Sequence, residues 1–239
     1  MIRQFFYNMC KKAALCIPPI RRHVEYTRLL ERWLTEGGGG FNSGEFWERN
    51  YRYGGTSGTG SYNHLADFKA RIVNGLTEDF RIQSLIDLGC GDGNLLSMLK
   101  VPKYTGVDVS ATIINRHRQQ YADDENKIFY LTAERDSYIN KKYDASLSMD
   151  VIYHLLEDDI FKHYIEDLFS LSSRIVIIYS SNHESYTKYV GYRHRNFTHL
   201  VAARKLEFQL IKYIPNEYPY MIGNEEETSA SDFYIYQRT

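Results

Sequence analysis

The sequence predicts a doubly wound α/β fold, a mostly parallel seven-stranded sheet preceded by an N-terminal helical arm. Three observations predict it. Short apolar, β-branched runs alternate with stretches of helical apolar spacing, the pattern of a parallel sheet covered on both faces. The first run leads straight into a glycine turn, "SLIDLGCGDGNLL", Ser84 to Leu96. The chain ends in two strands with no long helix between them, which reads as a terminal hairpin.

Taken in order, residues 1–36 form the arm. Ile2, Phe5, Phe6, Met9, Ala13 and Cys16 recur at helical spacing, Pro18-Pro19 breaks the chain, and Tyr26, Leu29, Leu30 and Trp33 mark a second helix. Seven basic residues stand against three acidic ones here. The arm reads either as a basic amphipathic element that meets a membrane surface or a partner, or as a helix pair packed on its own domain or a second copy. The run Gly37 to Gly40 is a flexible joint, which divides the chain into an arm with its linker, 1–40, and a main domain, 41–239. An aromatic, glycine-rich stretch follows, and then Leu65, Phe68, Ile72, Leu76 and Phe80 mark a helix. Strands are expected over Ser84–Leu88, Tyr104–Asp108, Lys127–Leu131, Tyr143–Met149 and Arg174–Ser181, with helices from Asn94 to Leu99, Ala111 to Tyr121 and Asp159 to Leu171. Glu207–Ile214 and Asp232–Gln237 supply the closing pair of strands.

Composition narrows the classes. The 239 residues suit one α/β domain with extra elements, and a 43% hydrophobic share is enough for its core. A net charge of -1 gives no pull toward nucleic acid, and no basic–aromatic platform is evident. Three cysteines (Cys10, Cys16, Cys90) without a CxxC spacing argue against disulfides or zinc and make a reducing cytoplasm the expected compartment. No apolar run approaches a membrane span, and Lys11 and Lys12 interrupt any signal-peptide core.

The glycine turn carries the chemistry. Glycines let the backbone turn sharply and approach a ligand, and the expected helix start adds free N–H groups and a positive dipole end. Asp108 ends the next strand, 21 residues after Asp87, where a carboxylate can accept both hydroxyls of a ribose. The spacing Gly89-x-Gly91-x-Gly93 is one residue shorter than a dinucleotide turn. Asp92 within the turn would repel a pyrophosphate but suits a cationic or amino-bearing ligand, and Asp87 suits an ammonium group.

"LIDLGCGDGNLL" followed by "YTGVDVS" resembles the first two motifs of the class I S-adenosylmethionine-dependent methyltransferases, and "YDASLSMDVIYHL" resembles a later core motif of that family. The specific resemblance spans Ser84 to Leu155. It implies a Rossmann-like methyltransferase fold and S-adenosylmethionine as cofactor. It places Asp87, Gly89, Gly91 and Gly93 along the methionine part, Asp108 on the ribose, Val109 near the adenine, and Asp150 between cofactor and substrate. The acid that meets the adenine stays open between Glu134 and Asp136. In that family the segment before the first strand often folds over the cofactor, so "GGTSGTGSY", Gly54 to Tyr62, is expected to form a lid with Thr56 and Ser57 on the cofactor. The flanking "FWERNY" and "LADFKA" resemble a subgroup associated with bacterial glycan and surface-polysaccharide assembly.

For the reaction, His154, just beyond the fourth strand, is the expected base, with Tyr153 shaping the pocket. The later loop with His183, Arg193, His194 and Arg195 is expected to cross the pocket mouth, Arg193 and Arg195 forking onto phosphate or carboxylate oxygens of the substrate. No metal site is expected: the histidines lack zinc spacing, and Glu157 to Asp159 reads as an acidic helix start. The expected activity is O-methylation of a small polar acceptor such as a sugar, sugar phosphate or glycan intermediate. N-methylation of another small molecule, a non-catalytic cofactor-binding scaffold and a nicotinamide oxidoreductase are the alternatives, and oligomeric state stays open.

Overall fold

A computed structural model of the chain describes residues 42–186, 191–204 and 207–239. The arm, its glycine joint and the membrane or partner contact expected of them lie outside the described residues. Helix α1 (Ser43–Arg52) and helix α2 (Asn63–Asp79) precede the sheet. Strand β1 (Ser84–Leu88), β2 (Lys103–Asp108), helix α3 (Ala111–Gln120), β3 (Lys127–Leu131), β4 (Tyr143–Met149), helix α4 (Asp158–Leu171) and β5 (Ser172–Ser180) follow. A short pair, β6 (Ser185–Tyr186) and β7 (Arg193–His194), helix α5 (Phe197–Ala203), and strands β8 (Phe208–Ile214) and β9 (Asp232–Arg238) complete it. The seven-stranded sheet runs β3-β2-β1-β4-β5-β9-β8. Strands β1 to β5 pair in parallel, and the closing hairpin is antiparallel, as its sequence expects.

The central strands form because both of their faces are buried, and side chains alternate between them. In β5, Ile175, Ile177 and Tyr179 join one core with Leu85 of β1, Leu147 of β4 and Phe68 of α2. Val176 and Ile178 join the other with Ile86 and with Ile165, Leu168 and Phe169 of α4. Among the described residues no helix is long and apolar enough to cross a membrane.

Two local readings need correction. The helix expected from Asn94 to Leu99 is a single 3₁₀ turn, Leu96–Met98. Only fourteen residues, 89–102, join β1 to β2, and the glycine turn uses the first five. Asn74 of α2 then ties off the exit, donating to the Met98 carbonyl at 2.9 Å and accepting from Lys100 N at 2.8 Å. The glycine turn therefore has no helix dipole behind it. Conversely, α1 is an unexpected helix: Asn42 caps it by accepting from Glu45 N at 2.8 Å, and Arg49 and Arg52 occupy its last turn.

The order of the strands changes direction between β1 and β4, the switch point where ligands bind in open α/β sheets. Asp87 of β1, Asp108 of β2 and Asp150 after β4 consequently meet at one sheet edge. Ile177 is wholly buried at the centre of β5. Replacing it with alanine is expected to lower the unfolding free energy by about 2–5 kcal/mol, read as a lower denaturant midpoint; an unchanged midpoint would contradict the packing described.

Candidate active site

A cleft of about 650 Å³ opens at this edge. Its floor is the glycine turn and the ends of β1, β2 and β4, and its roof is α1 with the loop after it. Asp87, Gly89, Gly91, Asp108, Val109, Asp150, Ser57 and His154 all line it, which brings together most of the residues the sequence singles out.

The turn is built around absent side chains. At Gly89 (φ 90) a Cβ would fall 2.4 Å from Val151 Cγ2, and at Gly91 (φ 59) 2.4 Å from Ser57 Oγ. Both positions require the left-handed region as well as the space. Gly93 (φ 83) does not line the cleft; a Cβ there would meet the His117 ring at 2.5 Å. His117, fully buried on α3, stacks on Phe129 and bonds the Gly91 carbonyl through Nε2 at 2.8 Å, so it braces the turn from below.

The carboxylates differ in their partners. Asp108 accepts Gly91 N at 3.0 Å and Ser110 N at 2.9 Å. Burial still pushes it up to about 6, against the pull of those N–H donors. Asp87 accepts the Tyr104 hydroxyl at 2.7 Å on one oxygen, while its buried Oδ1 has no partner among the described residues. Burial raises it to about 7, with Asp108 adding to the rise and Tyr104 and Lys69 opposing it. Asp150 sits at φ 58, a strained angle for a residue with a Cβ. It receives Lys69 Nζ at 2.6 Å, Ser231 Oγ at 3.1 Å and the Tyr153 hydroxyl.

The glycine-rich segment does fold over the cleft, and carboxylates hold it there. Asp92 accepts Ser57 N at 2.7 Å, the Tyr62 hydroxyl at 2.8 Å and Asn94 N at 3.1 Å, while Asp92 N donates to Ser57 Oγ at 2.9 Å. Asp92 thus clasps the roof while lining the cleft. Glu157 takes Ser43 N and Oγ at the start of α1. Glu48 takes Ser110 Oγ, Thr112 N and Thr112 Oγ1; these donors and Arg52 outweigh the upward push of burial and bring it down to about 2.

Several expected contacts fall elsewhere. Thr56 is exposed, outside the cleft, and accepts Gly58 N on its hydroxyl. Tyr153 is spent on Asp150 and does not line the cleft. Neither Glu134 nor Asp136 reaches it: Glu134 is occupied by Leu131 N and Arg118, and Thr132, Arg135 and Tyr138 line that end instead. Arg195 is buried under Phe161 and bonds Asp158 and the carbonyls of Leu155 and Leu156. Arg193 pairs with Asp158 and Glu184. The loop of arginines is therefore a brace for the segment that carries His154, not an anion fork. His183 stacks on His194, which bonds Ser181 Oγ.

His154 stands where the sequence puts it, buried beside Trp47 of α1, with ring centroids 4.8 Å apart and edge to face. Sequence reasoning missed Trp47, Glu48, Tyr51, His117 and Lys69. One signal for Lys69 was present: it interrupts the apolar stripe of α2 between Leu65 and Val73, each four residues away.

Residues 86–171 match the family model described as a methyltransferase domain. Similar solved structures are those of the N-methyltransferase NodS from Bradyrhizobium japonicum with S-adenosyl-L-homocysteine (12% identity, 82% of this chain and 98% of that one, TM-score 0.63) and magnesium protoporphyrin IX methyltransferase from Synechocystis, also with that product (16%, 83% and 96%, 0.56). The methyltransferase domain of bacterial CtHen1 is a third (21%, 71% and 96%, 0.52). No curated protein sequence matches the chain. At these identities the likeness is one of fold: the sheet is the Rossmann-like sheet of S-adenosylmethionine-dependent methyltransferases, and 86–171 carry the methyltransferase-domain signature.

The residues present fit that cofactor. The unpartnered Asp87 oxygen suits an ammonium, and Asp108 has lone pairs left for hydroxyls. Asp108→Ala is expected to weaken S-adenosylmethionine by about 1–3 kcal/mol, measured by calorimetry; unchanged affinity would remove Asp108 from the site. Asp87 gives a pH test. Its folded value, about 7, lies above the roughly 3.9 of an unfolded chain. Its contribution to stability is thus complete below about pH 4 and is lost as pH rises through about 7. Asp87→Asn, which cannot ionise, is expected to gain stability over the wild type between pH 5 and pH 8 while binding cofactor about tenfold or more weakly. A stability difference equal at both pH values would contradict it.

Proposed function

We propose that this protein transfers a methyl group from S-adenosylmethionine to an oxygen of a small, uncharged polar acceptor such as a sugar or glycan hydroxyl. One observation carries the reading. His154 Nδ1 lies 2.9 Å from the Gly191 carbonyl, and a carbonyl only accepts, so the ring proton is on Nδ1. Nε2 is then the lone-pair nitrogen. Burial pulls the ring down to about 4, against the carbonyl and Asp150, so it is neutral at physiological pH.

A neutral imidazole among the residues that line the cleft can take the proton of a hydroxyl acceptor, which an amine arriving neutral does not require. When bound, the cofactor supplies a methyl group on a sulfonium whose leaving group is already activated. What remains for the chain is to hold the ligand at Asp87 and Asp108, exclude water beneath α1, orient an acceptor beside the packed Trp47–His154 pair, and accept its proton at Nε2. The preference for an uncharged acceptor is drawn from the arginines expected to fork onto a phosphate: Arg193 and Arg195 are engaged by Asp158, Glu184 and carbonyls. The glycan assignment rests on "FWERNY" and "LADFKA", the stretches on either side of the roof loop.

His154→Ala is expected to lower turnover on hydroxyl acceptors about 100-fold or more, the usual range for a lost general base, with cofactor affinity retained. Because the ring stays neutral above about 4, turnover at saturating cofactor, where Asp87 and Asp108 are already engaged, should show no acid limb from this histidine near pH 6.5. Labelled methyl transfer to neutral sugars, sugar nucleotides and amines tests both points. Transfer to amines alone, or wild-type turnover in the variant, would defeat the proposal.

A further inference from the structure

We propose that Lys69 is the receptor for the carboxylate of the cofactor's amino-acid tail, with Asp150 its partner within the protein. The inference rests on the cofactor reading above and adds a residue from α2 to it. Lys69 lines the cleft yet is only 1% exposed. Its Nζ lies 2.6 Å from Asp150 Oδ2 and 5.4 Å from the centre of the Tyr179 ring. A leucine would continue the apolar stripe at this position, and a buried ion pair gives little net stability over well-packed apolar residues. Stability therefore does not account for a charge here, and a ligand does.

The charges at this end of the cleft match an α-amino acid. Lys69 and Arg135 are the only lysine and arginine among the described residues lining it. Arg135 is half exposed, paired with Asp167, beside Thr132 and Tyr138 at the opposite end. Lys69 instead shares its end with Asp87, whose buried Oδ1 lacks a partner. A cation and an unsatisfied carboxylate oxygen suit a ligand carrying a carboxylate and an ammonium on one carbon. Binding does not require the protein pair to break. An ammonium has three N–H donors, and Asp150 takes one of them. Asp150 also holds Ser231 and Tyr153, so it is not left bare if the lysine leans toward a second carboxylate. Above the pair the roof passes at Gly60, where a Cβ would stand 3.4 Å from Asp150 Oδ2 and 4.0 Å from Lys69 Nζ.

The test is equilibrium binding of three compounds to the full chain: S-adenosylmethionine, its decarboxylated form and methylthioadenosine, which lacks the amino-acid tail. The wild type is expected to bind the first at least about tenfold more tightly than the second, as for a charged hydrogen bond in a buried site. Lys69→Met is expected to bring the two within about twofold of each other while leaving methylthioadenosine within about threefold of its wild-type affinity. The double variant Lys69→Met/Asp150→Asn removes both charges and decides the matter if the single variant fails to fold. A preserved preference for the carboxylate in either folded variant would overturn the role of Lys69 alone. A wild type that binds none of the three compounds would overturn the cofactor reading and this inference with it.

Discussion

Three carboxylates brought to the ends of adjacent parallel strands, and then roofed over, would repel one another in a medium that screens poorly. The arrangement of the site follows from how each is balanced. Asp108 is held by backbone N–H groups of the glycine turn and of the start of α3, so its charge fixes the shape of the loop that must cradle a ligand. Asp150 is balanced by direct contact with a lysine from α2, whereas Asp87 has one tyrosine hydroxyl as its donor among the described residues and that lysine only at longer range. The imbalance at Asp87 is the feature a cationic group would relieve, which makes ligand binding and charge neutralisation the same event.

The same chemistry holds the roof. Asp92, Glu48 and Glu157 reach between α1, its following loop and the sheet edge through hydrogen bonds to hydroxyls and backbone N–H groups. Trp47 and Tyr51 bring aromatic surface to the inner side of the same helix. The cover is thus specified by directional contacts at its ends and by ring faces over the cleft, a combination that shields the cleft from water without burying a large apolar interface.

Much of this was legible in the sequence because burial writes itself as periodicity. The β-branched run around Ile175 to Ile178 fits only a strand covered on both faces, and Asp87 and Asp108 were found from their places at strand ends. What was not legible depended on partners distant in the chain. The stretch after Gly93 has helical spacing, yet Asn74 on another element ends it after one turn. Arg193 and Arg195 look like ligand-binding residues until Asp158, 35 and 37 residues earlier, takes both. Asp92 reads as a charge for a ligand because its true partners, Ser57 and Tyr62, lie 35 and 30 residues away. Lys69 was visible as a break in an apolar stripe, but only the fold shows which acid stands opposite it.

The tautomer of His154 is set by a main-chain oxygen, that of Gly191. Every amino acid carries that oxygen, so no exchange of side chain at 191 can delete the acceptor; the positive φ of 83 restricts which residues fit there but not what they offer. The tautomer is in this sense insulated from mutational drift. The side chains that line the cleft around it, Trp47 and Leu155 among them, have no such protection. Single substitutions can therefore reshape the lining of the cleft while the tautomer of His154 stays as it is.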